Sequence, residues 1–155
     1  MGHRTILILE DDEDRVGGFR SAVASLGHEF GVRIWRDAPS MIAESPACLV
    51  EACLISLDHD LQPMGGETDP GTGLDVAEFL SLHKPVCPVI LHTSNFDGRL
   101  SMHNKLRAGG WTVSTVAPRE ADWIQASWLP IARRWVGLPK SGRSGGGGPA
   151  GAHRT

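Results

Sequence analysis

Thr5-Ile6-Leu7-Ile8-Leu9 is an unbroken apolar run that ends at once in Glu10-Asp11-Asp12-Glu13-Asp14. Apolar residues at successive rather than alternate positions are what a strand buried on both faces requires. Past the acidic stretch, Val16, Phe19, Val23 and Leu26 fall at helical spacing, and Gly27 offers a stop. Strand, acidic turn and helix therefore follow one another between Thr5 and Gly27.

The same succession recurs down the chain. Phe30 to Trp35 alternates as a second strand, and Pro39 to Ala47 predicts only a short helix. Cys53-Leu54-Ile55-Ser56-Leu57 is a third buried strand, running into Asp58-His59-Asp60-Leu61 and then a polar, glycine-rich loop to Gly71. Thr72 or Asp69 can cap the next helix, whose stripe of Leu74, Val76, Ala77, Phe79, Leu80 and Leu82 stops before Pro85. Pro88 to Leu91 is a fourth strand with His92-Thr93-Ser94-Asn95 at its end, followed by a helix over Gly98 to Ala108. Trp111 to Val116 predicts a fifth strand. Glu120 to Val136 predicts a last helix that Pro130 kinks or breaks.

Five strand-then-helix units predict a doubly wound, five-stranded parallel α/β sheet with helices on both faces. Residues 1–136 form the one domain expected. Residues 137–155, rich in Gly, Ser, Pro and Arg, carry too little apolar surface to offset their ordering entropy and predict a flexible tail. With 41% apolar and 21% charged residues and a net charge of −3, the chain has a globular composition and no overall field to attract a nucleic-acid backbone. DNA binding is not expected. Cys48, Cys53 and Cys87 are odd in number and lack CxxC spacing, which argues against a disulfide framework or structural zinc. Neither a signal-peptide apolar region nor a membrane-length run is evident, so a cytoplasmic location is expected.

In doubly wound sheets, ligands bind beyond the carboxyl ends of the strands, so the residues just past each strand carry the functional reading. Glu10, Asp11 and Asp58 stand at two such ends. Clustered carboxylates repel unless a proton or a cation intervenes, and hard oxygen ligands suit Mg²⁺, so a divalent ion on these three is one reading. For Asp12, Glu13 and Asp14 the plainer reading is stabilisation of the following helix through its dipole. His59 and His92 each follow a buried strand closely, and neighbouring strands lie about 4.8 Å apart. If the third and fourth strands are adjacent, both rings face one cleft, where a neutral and a protonated imidazole would serve as general base and acid on a phosphate ester. Asn95 would orient a ring or hold a phosphate oxygen. The competing reading has one histidine merely bonding a loop carbonyl.

Over Arg4 to Val136 these residues resemble the CheY-like receiver domains of two-component signalling. Glu10-Asp11 is similar to their acidic pair, Asp58 falls on the phosphoacceptor position, Gly73-Leu74-Asp75-Val76 resembles a receiver helix start, and Thr93 matches the hydroxyl residue after the fourth strand. The receivers' lysine after the fifth strand has no counterpart, since this region reads Thr115-Val116-Ala117-Pro118-Arg119. A more specific resemblance is to the cyclic-phosphate processing receiver domain. It rests on Leu57-Asp58-His59-Asp60-Leu61 and on His92, Asn95, Gly98 and Met102.

That resemblance implies processing of cyclic phosphates, such as a 2′,3′-cyclic RNA end or a cyclic nucleotide. His59, His92, Asn95 and Asp58 would be catalytic and Thr93, Ser94 and Asp60 would bind substrate. The loop from Gly65 to Gly73 would close over it. Two other classes of function stay open. In one, Asp58 accepts a phosphoryl group from a histidine kinase with Mg²⁺ on Asp11. In the other, the chain is a non-catalytic pseudo-receiver that binds a partner or nucleotide, with exposed tryptophans of its last helix as the surface, although core packing is the expected use of at least two of Trp123, Trp128 and Trp135.

Overall fold

A computed structural model describes residues 4–63, 65 and 68–138. Strands β1 (Arg4–Leu9), β2 (Phe30–Trp35), β3 (Ala52–Leu57), β4 (Val89–Leu91) and β5 (Val113–Thr115) form one parallel sheet in the order β2-β1-β3-β4-β5. Helices α1 (Glu13–Ala24), α2 (Ala38–Glu44), α3 (Gly73–Ser81), α4 (Phe96–Ala108) and α5 (Leu129–Trp135) cross between or follow the strands. Every strand and helix expected from the sequence is present in a doubly wound receiver-type fold, with two differences of form. The second helix is followed by a 3₁₀ segment over Ser45–Glu51 with Pro46 in its first turn. The last helix begins as a π turn over Ile124–Trp128 and becomes regular only at Leu129, because Pro130 has no N–H to give and fits best in a first turn. The tail from 139 onward, and residues 64, 66 and 67 of the glycine-rich loop, lie outside the described residues, as does any closure of that loop.

The two-sided burial of β1 is complete. Leu7 and Leu9 face α2, α3 and α4 through Met41, Leu80 and Met102, whereas Ile6 and Ile8 face α1 and α5 through Phe19, Trp128 and Ala132. Ile6, Leu7, Ile8 and Leu9 are all fully buried. At about 1.5–3 kcal/mol for each such side chain, these two layers hold the strand ends rigidly. Cys48, Cys53 and Cys87 are unpaired thiols, and burial pushes the Cys87 thiol up to about 12, leaving it inert at neutral pH. No helix among the described residues is long and apolar enough to cross a membrane.

Strand order reverses at β1, which has β2 on one side and β3 on the other. The carboxyl ends of β1, β3 and β4 thus open at the point where such sheets place their ligands.

Candidate functional site

The floor of the site is a buried polar chain. Glu10, the first residue past β1, takes an N–H from Asp12 on one carboxylate oxygen at 3.0 Å and meets His92 Nε2 at 3.0 Å on the other. His92, the first residue past β4, is gripped between Phe19 and Trp123, with ring centroids 4.9 and 5.7 Å away. Its Nδ1 lies 2.7 Å from Ser56 Oγ, which also accepts the indole N–H of Trp128 at 2.9 Å. An indole nitrogen only donates, so Ser56 passes its own hydrogen to His92 Nδ1, and His92 Nε2–H donates to Glu10. One tautomer satisfies all four groups. Glu10, Ser56 and His92 are fully buried, where an unmet polar group would be costly.

Above this floor lies an open cleft of about 420 Å³ lined by Asp11, Asp12, Glu13, Arg15, Asp58, Asp60, Gln62, Thr93 and Ser94. Asp58 accepts the His59 backbone N–H at 2.7 Å, and Arg15 stands 3.9 Å from both Asp58 and Glu10. Burial is the main cause that raises the Asp58 carboxyl to about 6; the neighbouring Glu10 raises it further, while His92 and Arg15 oppose it. Asp11 is tied to the wall by accepting the Gln62 backbone N–H at 2.6 Å. Five carboxylates and the Arg15 guanidinium line this cleft, and Glu13 of the five is paired with Arg36 at 2.7 Å.

The third part flanks the cleft on the α4 side. His59 Nδ1 lies 2.9 Å from Asp60, and Asn95 donates to both Asp60 oxygens at 3.1 and 3.2 Å. Asn95 in turn caps α4, its side-chain oxygen accepting the Gly98 N–H at 2.8 Å. The ring of His59 lies on Gly98, where a Cβ would stand 2.5 Å from His59 Cγ. That glycine makes room for the imidazole. The hydrogen bond from His59 is the main cause holding the Asp60 carboxyl below its ordinary value. With the proton of Nδ1 directed at Asp60, Nε2 is left as the lone-pair nitrogen, without a protein partner among the described residues.

The expected site residues fall into these three parts. Asp11, Asp58, Asp60, Thr93 and Ser94 line one cleft, and Glu10 lies beneath it. The two histidines do not face one cleft: His92 is committed on both ring nitrogens inside the core, because the side chain of the first residue past β4 turns inward between Phe19 and Trp123. Nor is Asn95 free to hold a phosphate oxygen, since its amide already joins Asp60 to the start of α4. Among His/Cys/Asp/Glu groups of the described residues, the tight cluster is Glu10, Asp58 and His92, with ligand atoms within 4.8 Å of one another; Asp11 stands apart from it. Amides at the start of α3 are also engaged, Thr72 N–H on Asp75 and Gly73 N–H on the His59 carbonyl, whereas those of Phe96 and Asp97 on α4 have no such partner among the described residues. Arg119 is exposed and outside the cleft; the nearby cation is Arg15. Trp123 and Trp128, offered as a binding surface, are core residues. Sequence reading passed over Arg15 and Ser56 and gave Trp128 no part beneath the site. Ser56 carried a signal, since a hydroxyl inside an otherwise apolar strand needs a buried partner.

Solved structures define the class. The chain is similar to a response regulator receiver domain from Rhodospirillum rubrum at 18% identity, covering 88% of this chain and 96% of that one with a TM-score of 0.61. It is similar to the response regulator domain of Thermotoga maritima CheB at 11% identity, covering 88% and 98% with a TM-score of 0.62. The phosphorylated cyanobacterial phytochrome response regulator RcpA gives 18% identity, 88% and 96% coverage and a TM-score of 0.62. These likenesses establish a receiver fold. Residues 5–108 match the family described as the cyclic-phosphate processing receiver domain, and the chain belongs to that family. No curated protein matches it in sequence.

Proposed function

We propose that this chain opens cyclic phosphodiesters to monoesters, with His59 as the base and Asp60 as the residue that holds it. The observation that carries this reading is the Asp60–His59 pair, tied to α4 by Asn95, with Asp60 itself lining the cleft at the strand ends. In the step, Nε2 takes a proton from water, the water oxygen bonds to phosphorus, and the bond to one ring oxygen breaks. That oxygen takes up a proton from the imidazolium. Thr93, Ser94 and the amides of Phe96 and Asp97 supply donors for the phosphate oxygens, the latter two with the dipole of a full-length helix behind them. His92 does not touch substrate in this reading; it positions Glu10, and through it the floor beneath Asp58.

The excess of carboxylates would repel a phosphate. The donor set fits a hard divalent cation, since Asp58 is an under-solvated carboxylate raised to about 6 beside Glu10. Asp58 and Glu10, whose oxygens lie within 4.8 Å of one another, would hold Mg²⁺, which when bound supplies positive charge for the phosphate.

A second reading is favoured by the position of Asp58, at the end of β3 and lining the cleft beside Thr93. There the side chain accepts a phosphoryl group from a histidine kinase. The test of both offers 2′,3′-cyclic nucleotides and a cyclic-ended RNA oligomer, with and without Mg²⁺, to wild type and His59→Ala. Turnover to a monoester that falls by about 10²–10⁴-fold in the variant supports the first reading. No turnover by wild type, with acetyl-phosphate labelling lost in Asp58→Asn, replaces it with the second.

A further inference from the structure

On the side of α4 turned toward β5, Phe96, Arg99, Leu100 and His103 recur at one helical face and, with Thr115 at the end of β5, enclose a hollow of about 200 Å³. Phe96 is 63% exposed and Leu100 48%. They stand away from the face by which the same helix buries Met102 and Leu106 completely. The Arg99 guanidinium lies over the Phe96 ring, 5.5 Å from its centroid. The hollow also has polar edges, the His103 ring and the Thr115 hydroxyl.

Its position gives it a meaning. Phe96 directly follows Asn95, and the ring of His59 lies on Gly98 in the same helical turn. Residues two apart on a helix point to opposite sides, so Phe96 and His59 flank the amino terminus of α4, where the amides of Phe96 and Asp97 remain unpartnered among the described residues. A phosphate held at those amides has the imidazole on one side and the aromatic hollow on the other.

We infer that the hollow of Phe96, Arg99, Leu100, His103 and Thr115 is a nucleobase subsite, making the substrate a cyclic phosphate that carries a base. The inference rests on the phosphodiesterase reading above and names its substrate class. The base stacks on Phe96 and the Arg99 plane, as single-stranded bases do on aromatic and guanidinium groups, while His103 and Thr115 meet its edge.

The experiment compares 2′,3′-cyclic AMP with glycerol 1,2-cyclic phosphate, which has the ring phosphodiester and no base, on wild type, Arg99→Ala and His59→Ala. Binding is read by calorimetry and turnover separately. Arg99→Ala is expected to raise KM and Kd for cyclic AMP by about 10-fold or more, with kcat and the glycerol substrate unchanged. His59→Ala is expected to remove turnover of both and leave cyclic AMP binding intact. Equal loss on both substrates in Arg99→Ala, or none, overturns the subsite. So does an unchanged Kd for cyclic AMP accompanied by lost self-association in sedimentation, which would make the face a protein contact. If wild type turns over neither substrate, the activity falls, and the subsite stands only if cyclic AMP binds and Arg99→Ala weakens it.

Discussion

His59 and His92 occupy equivalent places in the chain, one or two residues past a buried strand, and opposite places in the molecule. His92 has no exposed surface, two aromatic neighbours and a partner on each nitrogen. His59 has one nitrogen held by Asp60 and the other without a partner among the described residues. The difference follows from the direction the side chain takes as it leaves the sheet. His92 continues the register of β4, with its N–H still bonded to the Leu57 carbonyl, so its side chain enters the layer packed by α1 and α5. His59 lies one residue beyond that register, after Asp58 has made the last ladder bond to Leu9, and its ring lies against α4. A histidine that finishes a ladder is part of the core, and one that leaves it belongs to the surface.

The largest effect should come from breaking the buried member. His92→Ala leaves Glu10 fully buried without its Nε2–H donor and with Arg15 no nearer than 3.9 Å, leaves Ser56 without its acceptor, and empties a space between Phe19 and Trp123. Loss of a partner from a buried polar pair, with a cavity added, costs about 3–5 kcal/mol. Urea unfolding should show that loss. A variant as stable as wild type would mean that the Trp128–Ser56–His92–Glu10 chain does not hold the strand ends.

His59→Ala should do the reverse. It removes a largely buried ring held by Asp60 and packed on Gly98, but leaves no buried charge without a partner, so stability should fall by about 1–2 kcal/mol, while turnover of a cyclic phosphate should fall by about 10²–10⁴-fold. Should both variants lose stability alike, or His92→Ala lose activity while keeping its fold, the contrast between the two histidines would fail.

Much of this was legible in the chain and some was not, for definite reasons. The apolar run of Thr5 to Leu9 could only be a two-sided strand, and the recurring strand-then-helix order left little choice of topology, so the sheet and the converging strand ends could be read directly. Asp58, Asp60, Thr93 and Ser94 were found as cleft residues because the ends of parallel strands share one edge. What stayed hidden depends on distances between elements far apart in sequence. Ser56 and Trp128 are 72 positions apart and meet only once α5 has packed on the sheet. The likeness of His59 and His92 as strand-end histidines concealed a difference of one residue in where each ladder stops.

The two aspartates on either side of His59 carry the contrast to a finer scale. Burial raises Asp58 to about 6, whereas the hydrogen bond from His59 lowers Asp60. A carboxyl whose folded value lies above its unfolded one binds its proton more tightly in the folded state, so for Asp58 stability is gained as pH falls from about 6 toward 3.8 and is lost above that window. Asp60 has the opposite sign, adding stability above its unfolded value that disappears in acid. In metal-free protein at pH 7.5, Asp58→Asn should therefore be stabilising, by at most about 3 kcal/mol, the equivalent of a rise from 3.8 to about 6. Asn keeps an oxygen for the His59 N–H and removes the under-solvated charge. The gain should shrink steadily toward pH 5. It should also shrink when Mg²⁺ is added, because the cation would stabilise wild type and not the variant. Thermal unfolding of both proteins from pH 5 to 8, with and without millimolar Mg²⁺, measures this. A variant no more stable than wild type at pH 7.5 would mean that Arg15 and His92 already neutralise Asp58. A gain that Mg²⁺ leaves untouched would instead remove the cation from this cleft.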